Sequence, residues 1–201
     1  MYLNTRHLLC ALTVAETGTV LQAASKVHLT QSAVTQGLLA LELHLAVPLF
    51  ERSNQGMRVT LAGEIFLARV KRAFTHLKEA AQWWFAQQNN LQESWVRNLT
   101  WKQLSAFNMV CQLGSYSAAA RRLDLSQPTL HRTIKDFQAL CQGDLFYRSP
   151  AGVDIPWRTR QLNRYVGLFF AEINQGIDEV KALHSANAGR LAIGCLPLAQ
   201  T

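Results

Sequence analysis

The 201-residue sequence predicts a mainly α-helical chain built as two copies of one module, each made of short helices, a two-stranded hairpin and a long closing helix. Three observations predict it. Residues 4–52 lie over residues 100–148 without a gap, at a constant offset of 96, and ten of those 49 pairs are identical. The identities include Gly18/Gly114, Ala23-Ala24/Ala119-Ala120, Gln31/Gln127 and Arg52/Arg148, where backbone geometry, close packing or chemistry would demand a residue type. Both copies carry the same helix-start and helix-stop residues, and both close with over 20 residues of apolar spacing at threes and fours.

In the first copy Leu8, Ala11, Leu12 and Ala15 form a helical stripe, and Gly18 stands where a left-handed C-cap is needed. Thr19 caps a second helix, with Gln22 three residues on completing a capping-box pattern. The small Ala23 and Ala24 let another helix approach closely. Val27-His28-Leu29 makes a short turn, and Thr30 caps a third helix running to about Leu43. Pro48 to Arg52, the Ser53-Asn54-Gln55-Gly56 turn and Met57-Arg58-Val59 then read as a hairpin. The second copy repeats this with Leu104, Phe107 and Cys111, then Gly114-Ser115, Ala119-Ala120, Leu123-Asp124-Leu125, and Ser126 capping a helix to about Leu140. Its hairpin, Leu145 to Arg148 and Val153 to Ile155, carries Asp154 and is less cationic. Two short helices joined by a tight turn, the second entered through a polar cap, are what a helix-turn-helix reader requires, and the hairpin adds a wing.

Each wing feeds a long helix. Thr60 opens one bearing Leu61, Ile65, Phe66, Val70, Phe74, Leu77, Ala81 and Trp84; Pro156 opens the other, with Leu162, Val166, Phe169, Ile173, Ile177, Val180 and Leu183. A winged module of about 58 residues cannot cover so long a stripe alone, so these linker helices are expected to pair, within the chain or between chains. The predicted organisation is two tandem winged helix-turn-helix modules at 1–59 and 98–155, with linker helices at 60–92 and 156–187.

Composition sets the partner class. Twenty basic against thirteen acidic residues give +7 and pI ≈ 9.6. The charge is split almost evenly, eight against five in residues 1–90 and twelve against eight in 91–201. A basic globular chain favours polyanions, nucleic acid first and membrane surface second. No apolar run has the length of a membrane span, and MYLNTRHLLC enters a helical pattern with no cleavable signal, so a cytoplasmic protein is expected. Cys10, Cys111, Cys141 and Cys195 show no metal-finger or disulfide spacing and read as small buried thiols. Phosphate-binding loops, dinucleotide fingerprints, nucleophile elbows and zinc-protease motifs are all missing, so neither an enzyme nor a cofactor is expected.

Both copies resemble the N-terminal DNA-binding domain of LysR-type transcriptional regulators. The first carries the pattern in Ala23-Ala24, Leu29-Thr30-Gln31-Ser32-Ala33-Val34-Thr35, Leu41-Glu42, Pro48-Leu49-Phe50-Glu51-Arg52 and Thr60-Leu61-Ala62-Gly63. The second carries Ala119-Ala120, Leu125-Ser126-Gln127-Pro128-Thr129-Leu130 and Leu145-Phe146-Tyr147-Arg148, with Pro156-Trp157-Arg158-Thr159 in place of the Thr-x-Ala-Gly step. Gly189 to Gly194 looks like the first strand of the family's effector-binding domain, so residues 188–201 are read as its start. The resemblance implies double-stranded DNA as partner, homo-oligomerisation through linker helices and a small-molecule effector only in the C-terminal domain. It departs from the family in carrying two modules in one chain.

The third helix of each module would enter the major groove. In the second, Gln127, Thr129, His131, Arg132 and Lys135 offer polar groups, with Pro128 tolerated near the helix start. Arg132 is the candidate for a bidentate contact to guanine, and Arg121, Arg122 and Arg148 for phosphate. In the first, Gln31, Ser32, Thr35 and Gln36 can hydrogen-bond to bases, while Arg52 and Arg58 can reach phosphates from the wing. Gln36 stands where the family usually has arginine, and Gly37, Leu39 and Ala40 replace polar positions. No lysine or arginine lies between Thr30 and Val47. The first module is therefore either a weakly electrostatic reader or a winged helix whose third helix packs on protein, as in an interaction scaffold. The cluster Arg158, Arg160 and Arg164 could touch flanking phosphate or simply be solvated.

Overall fold

Helices start where the sequence places polar side chains that close a free backbone N–H. In the computed structural model, which describes residues 3–53, 56–86, 88–149 and 152–188, Asn4 opens α1 (Thr5–Thr17), Thr19 opens α2 (Val20–Val27) and Thr30 opens α3 (Gln31–Leu45). A hairpin of β1 (Phe50–Ser53) and β2 (Gly56–Val59) follows, then α4 (Leu61–Phe85) capped by Thr60, and a short α5 (Asn89–Asn98). The second set is α6 (Trp101–Leu113), α7 (Tyr116–Arg122) and α8 (Gln127–Cys141), capped by Thr100, Ser115 and Ser126. The hairpin of β3 (Tyr147–Ser149) and β4 (Gly152–Asp154) leads into α9 (Trp157–Ala188). The fold is mainly α with two antiparallel two-stranded wings.

The backbone keeps the 96-residue period even where the residues do not. Left-handed φ recurs at Gly18 and Gly114, at His28 and Asp124, at Ala46 and Gln142, and at Gly56 and Gly152. Two of these pairs hold non-glycine residues in a conformation that only glycine adopts without strain, so the path is set by tertiary context. Each wing docks on the cap of its first helix: Met57 N–H donates to Gly18 O (2.8 Å) and Val153 N–H to Gly114 O (3.2 Å). The capping-box pattern expected at Thr19 and Gln22 forms only its Thr19 half, while the complete box is at Thr100 and Gln103.

The entry to the linker helices differs between copies for a steric reason. A Cβ on Gly63 would stand 2.2 Å from Leu49 O, so the first module requires glycine there. The matching Thr159, almost fully buried, instead donates its hydroxyl to Leu145 O at 2.8 Å. The first copy brings backbone onto backbone there, and the second joins the same two segments through a side-chain hydrogen bond.

α4 and α9 pair with each other, antiparallel, inside one chain. Early α4 residues meet late α9 residues and the reverse. Gly176 packs on Phe66 and Arg69, Phe74 meets Phe169 edge-on (6.0 Å), and Trp83 meets Trp157 (5.9 Å). Ala73 and Phe169 are equivalent positions of the two copies, as are Phe74 and Phe170, so equivalent stretches of the two linker helices meet at the seam centre. Phe66, Val70, Ala73, Leu77, Ala80, Leu162, Val166, Phe169, Ile173 and Val180 are fully buried. Of the two pairings left open for these helices, within the chain or between chains, the one within the chain is formed, and each apolar stripe is covered by the other.

Charge completes the seam. Arg69 donates to Glu179 (Nε to Oε2, 2.9 Å) and to Glu172 (3.1 Å), and Arg72 Nε donates to Glu172 at 3.0 Å. Burial opposes ionisation of Glu172, but hydrogen bonds from Arg72 and Arg69 outweigh it and hold its carboxyl below the ordinary value. The hydrogen bond from Arg69 lowers Glu179 likewise. A depressed carboxylate stabilises the fold above its unfolded pKa and loses that contribution as pH falls through the folded one. Melting temperature is therefore expected to drop from about pH 5 to about pH 3, and Arg69→Met to flatten that limb. An unchanged limb in the variant would show that the pairs contribute nothing there.

One boundary differs from expectation. The first linker helix ends at Phe85, not residue 92, and the chain reverses into α5. Trp95 drives this: it is 2% exposed, packed between Phe85 (6.2 Å) and Phe137 (6.1 Å), and binds α5 to both α4 and α8. Trp84 joins the same cluster, its Nε1–H donating to Cys141 O at 2.8 Å. Burial raises the thiols of Cys111 and Cys141 to about 12, in keeping with unreactive packing. Residues 189–201, including the strand expected from Gly189 to Gly194 and Cys195, lie outside the described residues.

Candidate nucleic-acid interface

Each third helix is a two-faced element: one stripe enters its module's core and the other faces solvent. In α3, Thr30 Oγ1 accepts from Ala33 N–H (3.1 Å), while Val34, Gly37, Leu38, Leu41 and Leu45 are buried. Gln31, Ser32, Thr35 and Gln36 are exposed together on the opposite face, as expected. Leu39 and Leu43 continue that face at 55% and 70% exposure. Gly37 does not belong to it. A Cβ there would stand 3.1 Å from the His7 ring, so this glycine lets α3 approach α1 and is no substitute for a reading residue.

In α8, Leu130, Thr133, Ile134, Phe137 and Cys141 point inward, and Gln127, Pro128, His131, Arg132 and Lys135 are exposed. Arg132 and Lys135 lie three apart, neighbours on one helix face. Among the described residues, no carboxylate pairs with Arg132, Lys135, Arg52 or Arg58. Three expected readers are engaged locally. The Thr129 hydroxyl shares a 2.7 Å hydrogen bond with the Ser126 cap, so it steadies the helix start. His131 stacks on Tyr116 (4.3 Å between ring centres, 10° apart), which covers one face of its ring. The Thr35 hydroxyl likewise donates to Gln31 O at 2.9 Å and can offer only an acceptor.

Flanking cations are unequal. Arg52 and Arg58 are exposed on the first wing, where Arg58 faces Glu51 across the strands. Asp154 occupies the Arg58 position in the second wing, opposite Tyr147. Arg148 lies on β3, and its side chain falls outside the described residues. Lys26 is tied to Glu16 at 2.8 Å, whereas Arg121 and Arg122 are exposed at the end of α7. The arginine cluster opening α9 is largely structural. Arg158 lies over the Trp84 ring (4.3 Å) and donates to Trp84 O, and Arg160 Nε donates to Ile155 O at 2.8 Å. Only a tertiary view could have found this, since Trp84 is 74 residues away.

A capped, solvent-facing third helix beside a wing, present twice, is the winged helix-turn-helix arrangement. The family described as bacterial regulatory helix-turn-helix protein, lysR family, matches residues 5–64 and again 101–155. The chain belongs to that family. It is 28% identical over 188 residues to the HTH-type transcriptional regulator GalR of Pseudomonas putida, covering 94% of this chain and 46% of that protein. The chain thus spans about half the length of that relative. It is 44% identical over 63 residues to the HTH-type transcriptional regulator MetR of Haemophilus influenzae, 31% of this chain and 20% of that one. Among solved structures, it is 40% identical to CbnR, a LysR family transcriptional regulator, over 34% of this chain and 24% of that chain, with a TM-score of 0.33. The complex of the CbnR DNA-binding domain with DNA has the same identity and TM-score, and 78% of that chain is covered. No helix among the described residues is long and apolar enough to cross a membrane.

Proposed function

We propose that this chain binds double-stranded DNA sequence-specifically, with α8 as the stronger major-groove reader, α3 as the weaker one, and the α4–α9 seam holding the two in a fixed relation. The observation that carries the reading is the exposed pair Arg132 and Lys135 on a capped helix, with no acidic partner among the described residues. Arg132 is the base reader, because its planar fork matches the two acceptors of guanine. Arg52 and Arg58 position the first module on phosphates. Release of counterions then makes log K fall with log salt by about 0.9 per neutralised phosphate. The test is a salt titration of binding. Arg52→Ala should lower the slope by about one and leave base preference intact. Affinity independent of salt would defeat the reading.

The exposed Leu39 and Leu43 favour a second reading for the first module, in which α3 docks on protein. A footprint covering the α8 half-site alone would select it.

A further inference from the structure

The two reading faces are built on equivalent positions yet share little chemistry. At the 96-residue offset only Gln31 and Gln127 coincide. Ser32 is replaced by Pro128, Thr35 by His131, Gln36 by Arg132, Leu39 by Lys135 and Ala40 by Asp136. All but the half-buried Ala40 are exposed on their helices, so the difference lies on the surface and not in the core.

The seam that joins the modules is also unsymmetrical. α4 supplies the cations, Arg69 and Arg72, and α9 the anions, Glu172 and Glu179. At the same register an α4–α4 pair would set Arg69 against His76 and Trp83. An α9–α9 pair would set Glu172 and Glu179 against Tyr165. Each linker helix is therefore matched to the other and not to its own copy, and the short path through α5 makes the partner within the chain the one at high effective concentration. A homodimer presents one reader twice and so matches a palindrome. One chain of this protein presents two different readers once.

From this we infer that a single chain reads a non-palindromic site with two unlike half-sites: A·T-rich beneath α3, guanine-containing beneath α8. The chemistry of each face assigns its half. Glutamine pairs bidentately with adenine, and the apolar Leu39 and the Thr35 methyl suit the thymine methyl. On α3 no arginine or lysine is available for guanine, whereas α8 has both Arg132 and Lys135.

The inference rests on the proposed DNA binding, and the experiment separates the two. Sites are selected from random-sequence duplexes with the chain, and stoichiometry is measured on the selected site. The expected result is one chain on two unlike half-sites. Palindromes built from either half alone should bind at least about tenfold more weakly than the composite. Replacing the α3 face by the α8 set (Ser32→Pro, Thr35→His, Gln36→Arg, Leu39→Lys, Ala40→Asp) should move the preference to the palindrome of the α8 half. A variant keeping Ser32 guards against misfolding at the proline. Selection of palindromes by the unaltered chain, or two chains per pair of half-sites, overturns the inference and leaves DNA binding standing. Recovery of no sequence preference at all overturns both.

Discussion

Arg132→Ala is expected to weaken binding to the selected site by about ten- to a hundredfold, equivalent to 1–3 kcal/mol, and to relax preference at one or two adjacent base pairs. The size follows from geometry: the guanidinium projects from an exposed helix face, and no other side chain there can offer guanine two parallel donors. The measurement is affinity for a set of duplexes in which each base pair is changed in turn. A truncated base reader loses discrimination at its own position and keeps it elsewhere. If the loss were uniform over all sequences, Arg132 would be a phosphate contact. Lys135→Ala should cost less, because a point charge without a fork discriminates bases poorly. His131→Ala should act partly through Tyr116, whose stacking partner it removes.

The second large effect belongs to the seam. Phe169 is fully buried at the centre of the α4–α9 pair, edge-on to Phe74 (6.0 Å) and Trp101 (5.9 Å) and against Phe170 (5.3 Å). Phe169→Ala is expected to destabilise the chain by about 3–5 kcal/mol, since it removes a large side chain and leaves a cavity in a tightly packed site. Because this residue sits where the modules meet, its loss should also loosen their spacing. Urea unfolding measures the first consequence. Binding to sites with altered half-site separation measures the second, and the variant should tolerate changes that the unaltered chain rejects. A destabilised variant with unchanged spacing preference would show that α5 and the Trp95 cluster suffice to hold the modules.

Much of the site was legible from local chemistry. The polar caps Thr19, Thr30, Ser115 and Ser126 mark helix starts because few side chains can accept from the first free N–H groups. Gly18 and Gly114 mark the stops for the complementary reason, their left-handed φ. With starts and stops in place, helical spacing sorts inward from outward residues, which is why Gln31, Ser32, Thr35, Gln36, Arg132 and Lys135 could be read as solvent-facing. Three residues that are engaged within the fold share a cause. Gly37 faces inward, the Thr129 hydroxyl serves the Ser126 cap, and Arg158 lies on Trp84. In each, a residue type able to serve function is engaged by a neighbour that spacing alone does not identify. α5 escaped because its one fully buried side chain, Trp95, packs on Phe85 of α4 and Phe137 of α8, while its other apolar residues, Leu91 and Val96, are only partly covered.

A repeated module, its caps, its wing and its outward faces are properties of short stretches, and the amino-acid order specifies them within each copy. Which surface covers which is a different kind of fact. An apolar stripe states that a helix must be covered and is silent about the partner, since another copy of α4 would bury the stripe as well as α9 does. The partner is selected by matches such as Arg69 with Glu172 and Glu179, 103 and 110 residues apart, which come into being only when two helices adopt one antiparallel register. Folding, through that register, makes two similar modules into one unequal pair.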